Sequence, residues 1–191
     1  MNKGRLEAFS DGVLAIIITI MVLELKVPKG YGLKGLLPLI PVFGSYVLSF
    51  IYVGIYWNNH HHTFQAVKKI NGKVLWANLH LLFWLSLFPF ATAWMGENNF
   101  EPLTLAVYGL ILLMAAIAYF ILEYFLLQIN TKDSVLGKSL QNKYKEYLSP
   151  IFYIVGISIS FFVPLIASLL YIAVAVIWFL PDKRIEKHFV D

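Results

Sequence analysis

The first apolar segment of this 191-residue chain contains a carboxylate that helix packing alone does not require. Asp11 lies about one and a half helical turns into this segment, which runs from about residue 5 to residue 25. A carboxylate inside the hydrocarbon of a bilayer is costly, and such residues commonly serve ion pathways or proton relays. The alternative is that Asp11 lies at headgroup depth, where a polar group of a neighbouring helix satisfies it.

A second pattern on the same segment is a stripe of small, aliphatic and hydroxyl-bearing residues. At 100° per residue, one helix face carries Gly12, Ile16, Thr19, Ile20 and Leu23, here called the Ile16 stripe. Asp11 points well away from this face. Periodicity alone favours helix packing as the role of the stripe, because aliphatic stripes at this spacing usually pack.

The composition indicates a membrane protein. Hydrophobic residues make up 59% of the chain and charged residues 14%, whereas soluble domains carry ~45–50% and ~25%. These charges are too few to cover a soluble surface, which excludes an ordinary cytosolic domain, a disordered tail and a nucleic-acid binder. The chain has no cysteine, so disulfides, thiol catalysis and cysteine-based metal sites are excluded as well.

Six apolar stretches approach the ~20 residues that a helix needs to cross a bilayer. The predicted spans cover about residues 5–25, 36–63, 74–95, 103–128, 146–163 and 165–180. The last two come from one uncharged stretch, divided at Pro164 because proline breaks the helical hydrogen-bond ladder. The sequence therefore predicts an all-α polytopic membrane protein, with residues 1–191 forming a single six-helix domain.

The basic residues predict the orientation of these spans. Three of the fifteen Lys and Arg residues, Lys26, Lys29 and Lys34, fall in one set of loops. The other twelve share the opposite side: Lys3, Arg5, Lys68, Lys69, Lys73, Lys132, Lys138, Lys143, Lys145, Lys183, Arg184 and Lys187. The positive-inside rule places that side, and both termini, in the cytoplasm. The extramembrane segments are too short to hold a soluble catalytic domain.

Polar residues also occur in the second and third spans. The second span ends in three consecutive histidines, His60, His61 and His62. Consecutive helical residues point in different directions, so the three cannot chelate one metal ion, and interhelical hydrogen bonds are expected. The functional alternative is that one histidine pairs with Asp11 or Ser10. Asn78 and His80 are candidates for the same network, because buried polar groups in lipid need partners.

The start of the first span resembles a family signature. Residues 5–11 read Arg-Leu-Glu-Ala-Phe-Ser-Asp and contain the pattern Arg-x-x-x-Phe-Ser-Asp. This pattern and the residues up to Ile20 are similar to the first helix of the transmembrane protein 175 family, the lysosomal potassium channel and its bacterial relatives. Six helices in one short chain match a bacterial subunit, so the resemblance covers the whole chain. Its later helices contribute topology only.

The resemblance implies a potassium-selective cation channel whose first helices surround a central pore. One copy of the motif, where animal members carry two, implies a homotetramer. In the family, an aliphatic residue five positions after the motif aspartate forms the narrowest ring, which is Ile16 here. Thr19 would form the selectivity layer, and Ile20 and Leu23 further aliphatic rings. A hydrophobic ring of this kind gates by excluding water.

The resemblance also assigns a supporting role to the motif itself. Its side chains sit off the pore axis and tie the first helix to its neighbours, here Arg5, Phe9, Ser10 and Asp11, with His60, His61, Asn78 and His80 as candidate partners. The expected partners are other copies of the chain, the lipid bilayer and monovalent cations. No cofactor or metal is implied besides the permeating potassium ion. The expected location is the inner membrane of a bacterial cell.

Other functions stay open from the residues. A proton-permeable channel or a secondary transporter would use Asp11 and the nearby histidines, and a membrane enzyme would need a His/Asp site. The sequence offers no nucleophile–base grouping, phosphate loop or metal-ligand spacing, so an enzyme is not expected. The segment from Gly30 to Gly32 is no potassium filter, because Val27-Pro28-Lys29 precedes it in place of Thr-Val and no re-entrant helix leads into it.

Overall fold

The computed structural model describes residues 2–30, 32–130 and 144–179, and within these ranges all regular structure is helical. The helices are α1 Lys3–Leu23, α2 Leu33–Leu36, α3 Ile40–Gln65, α4 Gly72–Ser86, α5 Phe88–Glu97, α6 Pro102–Ile129, α7 Tyr144–Ser160 and α8 Pro164–Phe179. The predicted all-α fold is confirmed. Some predicted features lie outside the described residues: Tyr31, the span end at Leu180, and the basic residues Lys132, Lys138, Lys143, Lys183, Arg184 and Lys187.

Four of the described helical segments are long and apolar enough to cross a membrane by length and composition. They are Lys3–Leu23, Leu33–Gln65, Gly72–Glu97 and Pro102–Ile129. The second comprises α2, a 3₁₀ turn over Leu37–Leu39 and α3. Helices α7 and α8 are shorter, with 17 and 16 residues, and form a hairpin. Pro164 begins α8, where its missing N–H costs no helical hydrogen bond.

The third apolar segment consists of two consecutive helices rather than one. Helix α4 ends at Ser86 and α5 begins at Phe88, with Leu87 between them. Pro89 lies in the first turn of α5 and cannot donate the hydrogen bond that a continuous helix would require there. Pro89 therefore accounts for the interruption.

Polar contacts identify the two ends of the bundle. The Lys3 amine donates to the carbonyls of Phe64, at 2.8 Å, and Val67, at 3.2 Å, which brings the start of α1 to the end of α3. The Asn130 side chain accepts from the backbone N–H groups of Lys68, at 3.0 Å, and Lys69, at 3.1 Å. The start of α1 and the ends of α3 and α6 thus share one end, called the basic end below.

An ion pair marks the opposite end. Lys26, just beyond α1, donates a hydrogen bond to Glu97 at the end of α5. That hydrogen bond and the charge of the Glu97 carboxylate raise the pKa of Lys26. The described helices therefore alternate in direction, as spans joined by short loops must.

Aromatic rings fill the centre of the bundle. Tyr171 of α8 lies at ring-centroid distances of 6.1 Å from Tyr108 and 6.2 Å from Tyr153. The Tyr52 hydroxyl donates to the Tyr171 carbonyl at 2.6 Å, and the Tyr171 hydroxyl donates to the Leu105 carbonyl at 3.3 Å. Such rings bury a large apolar area, and their hydroxyls find partners inside the protein, as a lipid-surrounded core requires.

Candidate functional site

Helix α1 packs against the bundle mainly through one face. Its buried residues recur at i, i+4, i+8, i+11 and i+15, a pattern that defines one side of a helix: Leu6, Ser10, Leu14, Ile17 and Met21. This side packs against α3, α4 and α5. Val13 and Ile18 are partly buried against the same core, and most of the remaining α1 surface is exposed within the described part of the subunit.

The Ile16 stripe lies on the uncovered side. All five of its residues are exposed, with 59% of Ile16 and 76% of Leu23 accessible. A Cβ added at Gly12 would meet no atom within 4 Å. An aliphatic helix face that the described residues of its own subunit leave exposed is available for lipid, another subunit or a pore. Within the described residues, the stripe does not have the packing role that periodicity favoured.

The Thr19 hydroxyl has a defined polarity. It donates to the Ala15 carbonyl at 2.8 Å, one turn earlier in the same helix. A threonine hydroxyl has one proton and two lone pairs, so this bond uses the proton and leaves the oxygen as an acceptor. The exposed stripe therefore presents an electron-rich oxygen one turn from Ile16, which is the polarity that a cation requires.

Asp11 is tied to α3 by tryptophan. The Trp57 indole N–H donates to Asp11 Oδ1 at 3.0 Å. His61, one turn after Trp57, stacks on the indole at a centroid distance of 5.9 Å. The hydrogen bond to Asp11 thus comes from Trp57 and not from a histidine, which the sequence offered as an alternative partner of Asp11 or Ser10. The sequence analysis did not identify Trp57 as this partner, although the need of an indole N–H for an acceptor was an available signal.

Ser10 begins a buried hydrogen-bond chain through three helices. Its hydroxyl donates to the Leu6 carbonyl at 2.9 Å and accepts from Asn78 Nδ2 at 2.9 Å. Asn78 Oδ1 then lies 2.8 Å from His60 Nε2. Because the Ser10 proton and the Asn78 amide group are already assigned, His60 Nε2 must carry the proton of the last bond. The chain connects α1, α4 and α3 with its polar groups paired.

Five predicted network residues lie apart from this chain: Asp11, which bonds to Trp57, and His61, His80, Arg5 and Phe9. His61 Nε2 lies 2.7 Å from the Gln65 amide, and His80 accepts from the Trp84 indole at 3.0 Å. His80 is two residues beyond Asn78, about 200° around the helix, and therefore faces another direction. Arg5 and Phe9 are exposed near the basic end of α1. Within the described residues, the structure joins Ser10, His60 and Asn78 in one hydrogen-bond chain, and Asp11 and His61 both contact Trp57.

Comparisons with known proteins converge on one family. Residues 5–89, which include the motif, the stripe and the Ser10 chain, match the family model described as endosomal/lysosomal potassium channel TMEM175. The chain is 62% identical to a protein named as a potassium channel in Chryseobacterium sp. (strain P1-3), over 98% of this chain and 97% of that relative. A potassium channel of Streptomyces collinus is 38% identical over 62% of each chain.

A solved structure has the same fold. It is the crystal structure of a lysosomal potassium-selective channel TMEM175 homolog from Chamaesiphon minutus. The match has a TM-score of 0.81 at 30% identity and covers 93% of this chain and 96% of that chain.

Proposed function

The chain belongs to the TMEM175 family, a family of membrane channels and not of enzymes, and from this premise we propose that it conducts potassium ions through a pore built by four copies of itself. The observation that carries the proposal is the Ile16 stripe, which the described residues of the same subunit leave exposed. Four stripes that face one axis would complete the contacts that each subunit lacks.

The proposed constriction is a ring of four Ile16 side chains, with Ile20 and Leu23 forming further aliphatic rings. A constriction of this kind closes by excluding water, because a cation loses several kcal/mol when it sheds hydration without a substitute. Opening then requires the ring to widen or to admit water. This mechanism needs no carbonyl-lined filter, and its selectivity is expected to be weak to moderate.

The proposed selectivity layer is the ring of Thr19 hydroxyls. Replacing Thr19 by alanine removes the acceptor oxygens that partly substitute for the water of a dehydrated cation, so the preference for potassium over sodium should fall. The reversal potential in a potassium/sodium gradient should move toward zero. Thr19→Ser keeps the hydroxyl and should retain the wild-type value, and an unshifted potential in Thr19→Ala would remove Thr19 from selectivity.

Asp11 is proposed to hold α1 in place rather than to contact ions. Asp11→Ala removes the acceptor of the Trp57 indole and should lower the yield of tetramer, measured by size-exclusion chromatography and chemical cross-linking. Trp57→Phe breaks the same bond from the other side and should reproduce the loss. Normal assembly of both variants with altered ion selectivity would instead assign Asp11 to the ion pathway.

The proposed setting is a bacterial inner membrane with both termini in the cytoplasm. The positive-inside bias supports this orientation, and Lys3, Lys68 and Lys69 meet at the basic end of the bundle. Cysteine labelling with a membrane-impermeant reagent tests it: a cysteine at position 2 should react only after the cells are opened, whereas one at Lys29 should react in intact cells.

The function is tested by recording from purified protein in a planar bilayer. Under a potassium/sodium gradient at equal pH, we expect discrete single-channel currents. Their reversal potential should be shifted from zero toward the equilibrium potential of potassium. A reversal potential that follows an imposed pH gradient would indicate a proton-permeable channel that uses Asp11 and the histidines. A flux of fixed stoichiometry without unitary currents would indicate a secondary transporter.

A further inference from the structure

A cavity of about 220 Å³ lies between α3, α6, α7 and α8. Pockets for drug-sized ligands are larger, at ~300–1,000 Å³, but an engineered apolar cavity of ~150 Å³ binds benzene. In proportion, the cavity described here has room for a compact molecule of about nine non-hydrogen atoms. Among the described residues, the wall includes none from α1, so the cavity is a separate feature from the Ile16 stripe.

The cavity wall is mostly aromatic. Rings from all four helices line it, among them Tyr52, Tyr119, Tyr153 and Trp178. Aromatic rings offer a large apolar contact area and pack edge-to-face or offset against a further ring. At the rim, Ile117 is 37% exposed and Tyr147 is 60% exposed within the described part of the chain. A wall of this kind suits a small aromatic molecule.

Most polar groups of the described wall are already engaged. Hydroxyl groups with a hydrogen bond to another protein atom are those of Tyr52, Tyr119, Ser149 and Tyr153. The Asn59 amide donates to the Ile55 carbonyl at 2.8 Å. Glu123 and Glu146 also line the cavity, but each already interacts with other groups, and neither is assigned to a ligand.

The hydroxyl of Tyr56 differs from these groups. Tyr56 lines the cavity, is only 9% exposed and packs edge-on against Tyr119 at a centroid distance of 6.1 Å. Its hydroxyl forms no hydrogen bond with any described residue. A buried hydroxyl without a partner is costly, and a water molecule that served it would itself need ~2–4 polar partners. The cavity therefore combines an apolar wall with one available hydroxyl donor among its described residues.

We propose that this cavity binds a small neutral aromatic molecule that carries one hydrogen-bond-accepting oxygen, with an aryl ketone as its model. The ring of the ligand packs against the aromatic wall, and its oxygen accepts a hydrogen bond from the Tyr56 hydroxyl. A charged molecule is a poorer occupant, because an apolar wall does not replace its hydration. A lipid chain would use the wall but would leave the Tyr56 hydroxyl unpaired.

Titration of the full-length protein in phosphatidylcholine nanodiscs tests this site, with para-fluoroacetophenone as the probe. Binding is followed by fluorine NMR, and the signal from empty nanodiscs is subtracted. Saturable binding of one probe per subunit is expected. The Tyr56→Phe variant keeps the ring but loses the donor, so it should bind this ketone about two- to tenfold more weakly, as expected for one neutral hydrogen bond.

A second probe separates the hydrogen bond from the apolar contacts. The isopropenyl analogue has the shape of the ketone but a CH₂ group in place of the carbonyl oxygen, so Tyr56→Phe should bind it as the wild type does. Tyr124→Phe removes a hydroxyl that is exposed on α6 outside the described cavity wall, and this variant should bind the ketone normally.

A third variant tests the cavity without touching Tyr56. Ala116 lines the wall, so Ala116→Phe should fill the space and abolish saturable binding of both probes, with folding checked by size-exclusion chromatography. Equal loss of both probes in folded Tyr56→Phe, unchanged ketone binding in that variant or in Ala116→Phe, or no saturable binding to folded wild-type protein would each overturn the proposal.

Discussion

Replacing Ile16 by asparagine is expected to raise the single-channel current severalfold. Ile16 is 59% exposed on α1, so its replacement removes little packing within the described part of the subunit. Asparagine is smaller than isoleucine and binds water, so a ring of four would keep the constriction wet where isoleucine excludes water. Single-channel recording in symmetric potassium chloride measures the effect directly.

The matched control lies on the same helix. Val22 is also exposed, at 44%, but is outside the Ile16 stripe on the side of Asp11. Val22→Asn should therefore leave the unitary current close to the wild-type value. An equal rise in both variants would indicate a general loosening of α1, and no rise in Ile16→Asn would exclude Ile16 as the constriction.

Replacing Gly109 by alanine is expected to abolish the folded protein. A Cβ at this position would lie 2.0 Å from the Tyr171 hydroxyl oxygen and 2.6 Å from Cζ of the same ring. The ring cannot move aside, because the space beside Gly156 is equally tight, with 2.4 Å between a Cβ built there and Cε1 of Tyr171. Overpacking usually costs ~1–3 kcal/mol, and here the obstacle is an enclosed ring whose hydroxyl bonds to Leu105.

Gly54→Ala is the control for this substitution. Gly54 lies within α3, and a Cβ there meets no atom within 4 Å. Alanine in a helix interior stabilises by about 0.5–1 kcal/mol relative to glycine, so this variant should melt at or above the wild-type temperature. The readout is the monodisperse peak in size-exclusion chromatography and the thermal midpoint. A wild-type midpoint for Gly109→Ala would show that Tyr171 has room to shift.

The sequence predicted those features of α1 that depend on periodicity. The spacing of Ile16, Thr19 and Leu23 places them on one side of any α-helix, wherever that helix packs. The class of partner for Ser10 was also predictable, because a hydroxyl within a membrane bundle requires one. The sequence did not predict that Asn78 lies between Ser10 and His60, because this position depends on how α3 and α4 pack against α1.

His80 and Glu123 also show which contacts the sequence could not predict. His80 was grouped with Asn78 by composition, although their separation of two residues already places them about 200° apart on the helix. Glu123 has the sequence context of a residue near a helix end, but it is buried in α6, a helix that packs against α7. Contacts between α6 and α7 are set by tertiary packing, and no local pattern in either segment encodes them.

The enclosed ring of Tyr171 also has a consequence for folding of the chain during its synthesis. A ribosome delivers α8 after the other described helices, and Tyr171 fills the space that Gly109 and Gly156 leave between α6 and α7. A nascent chain released before Pro164 therefore lacks the ring that closes the centre of its bundle. We expect such chains to be recognised by membrane proteases, and pulse-chase comparison of chains ending before and after α8 measures their half-lives.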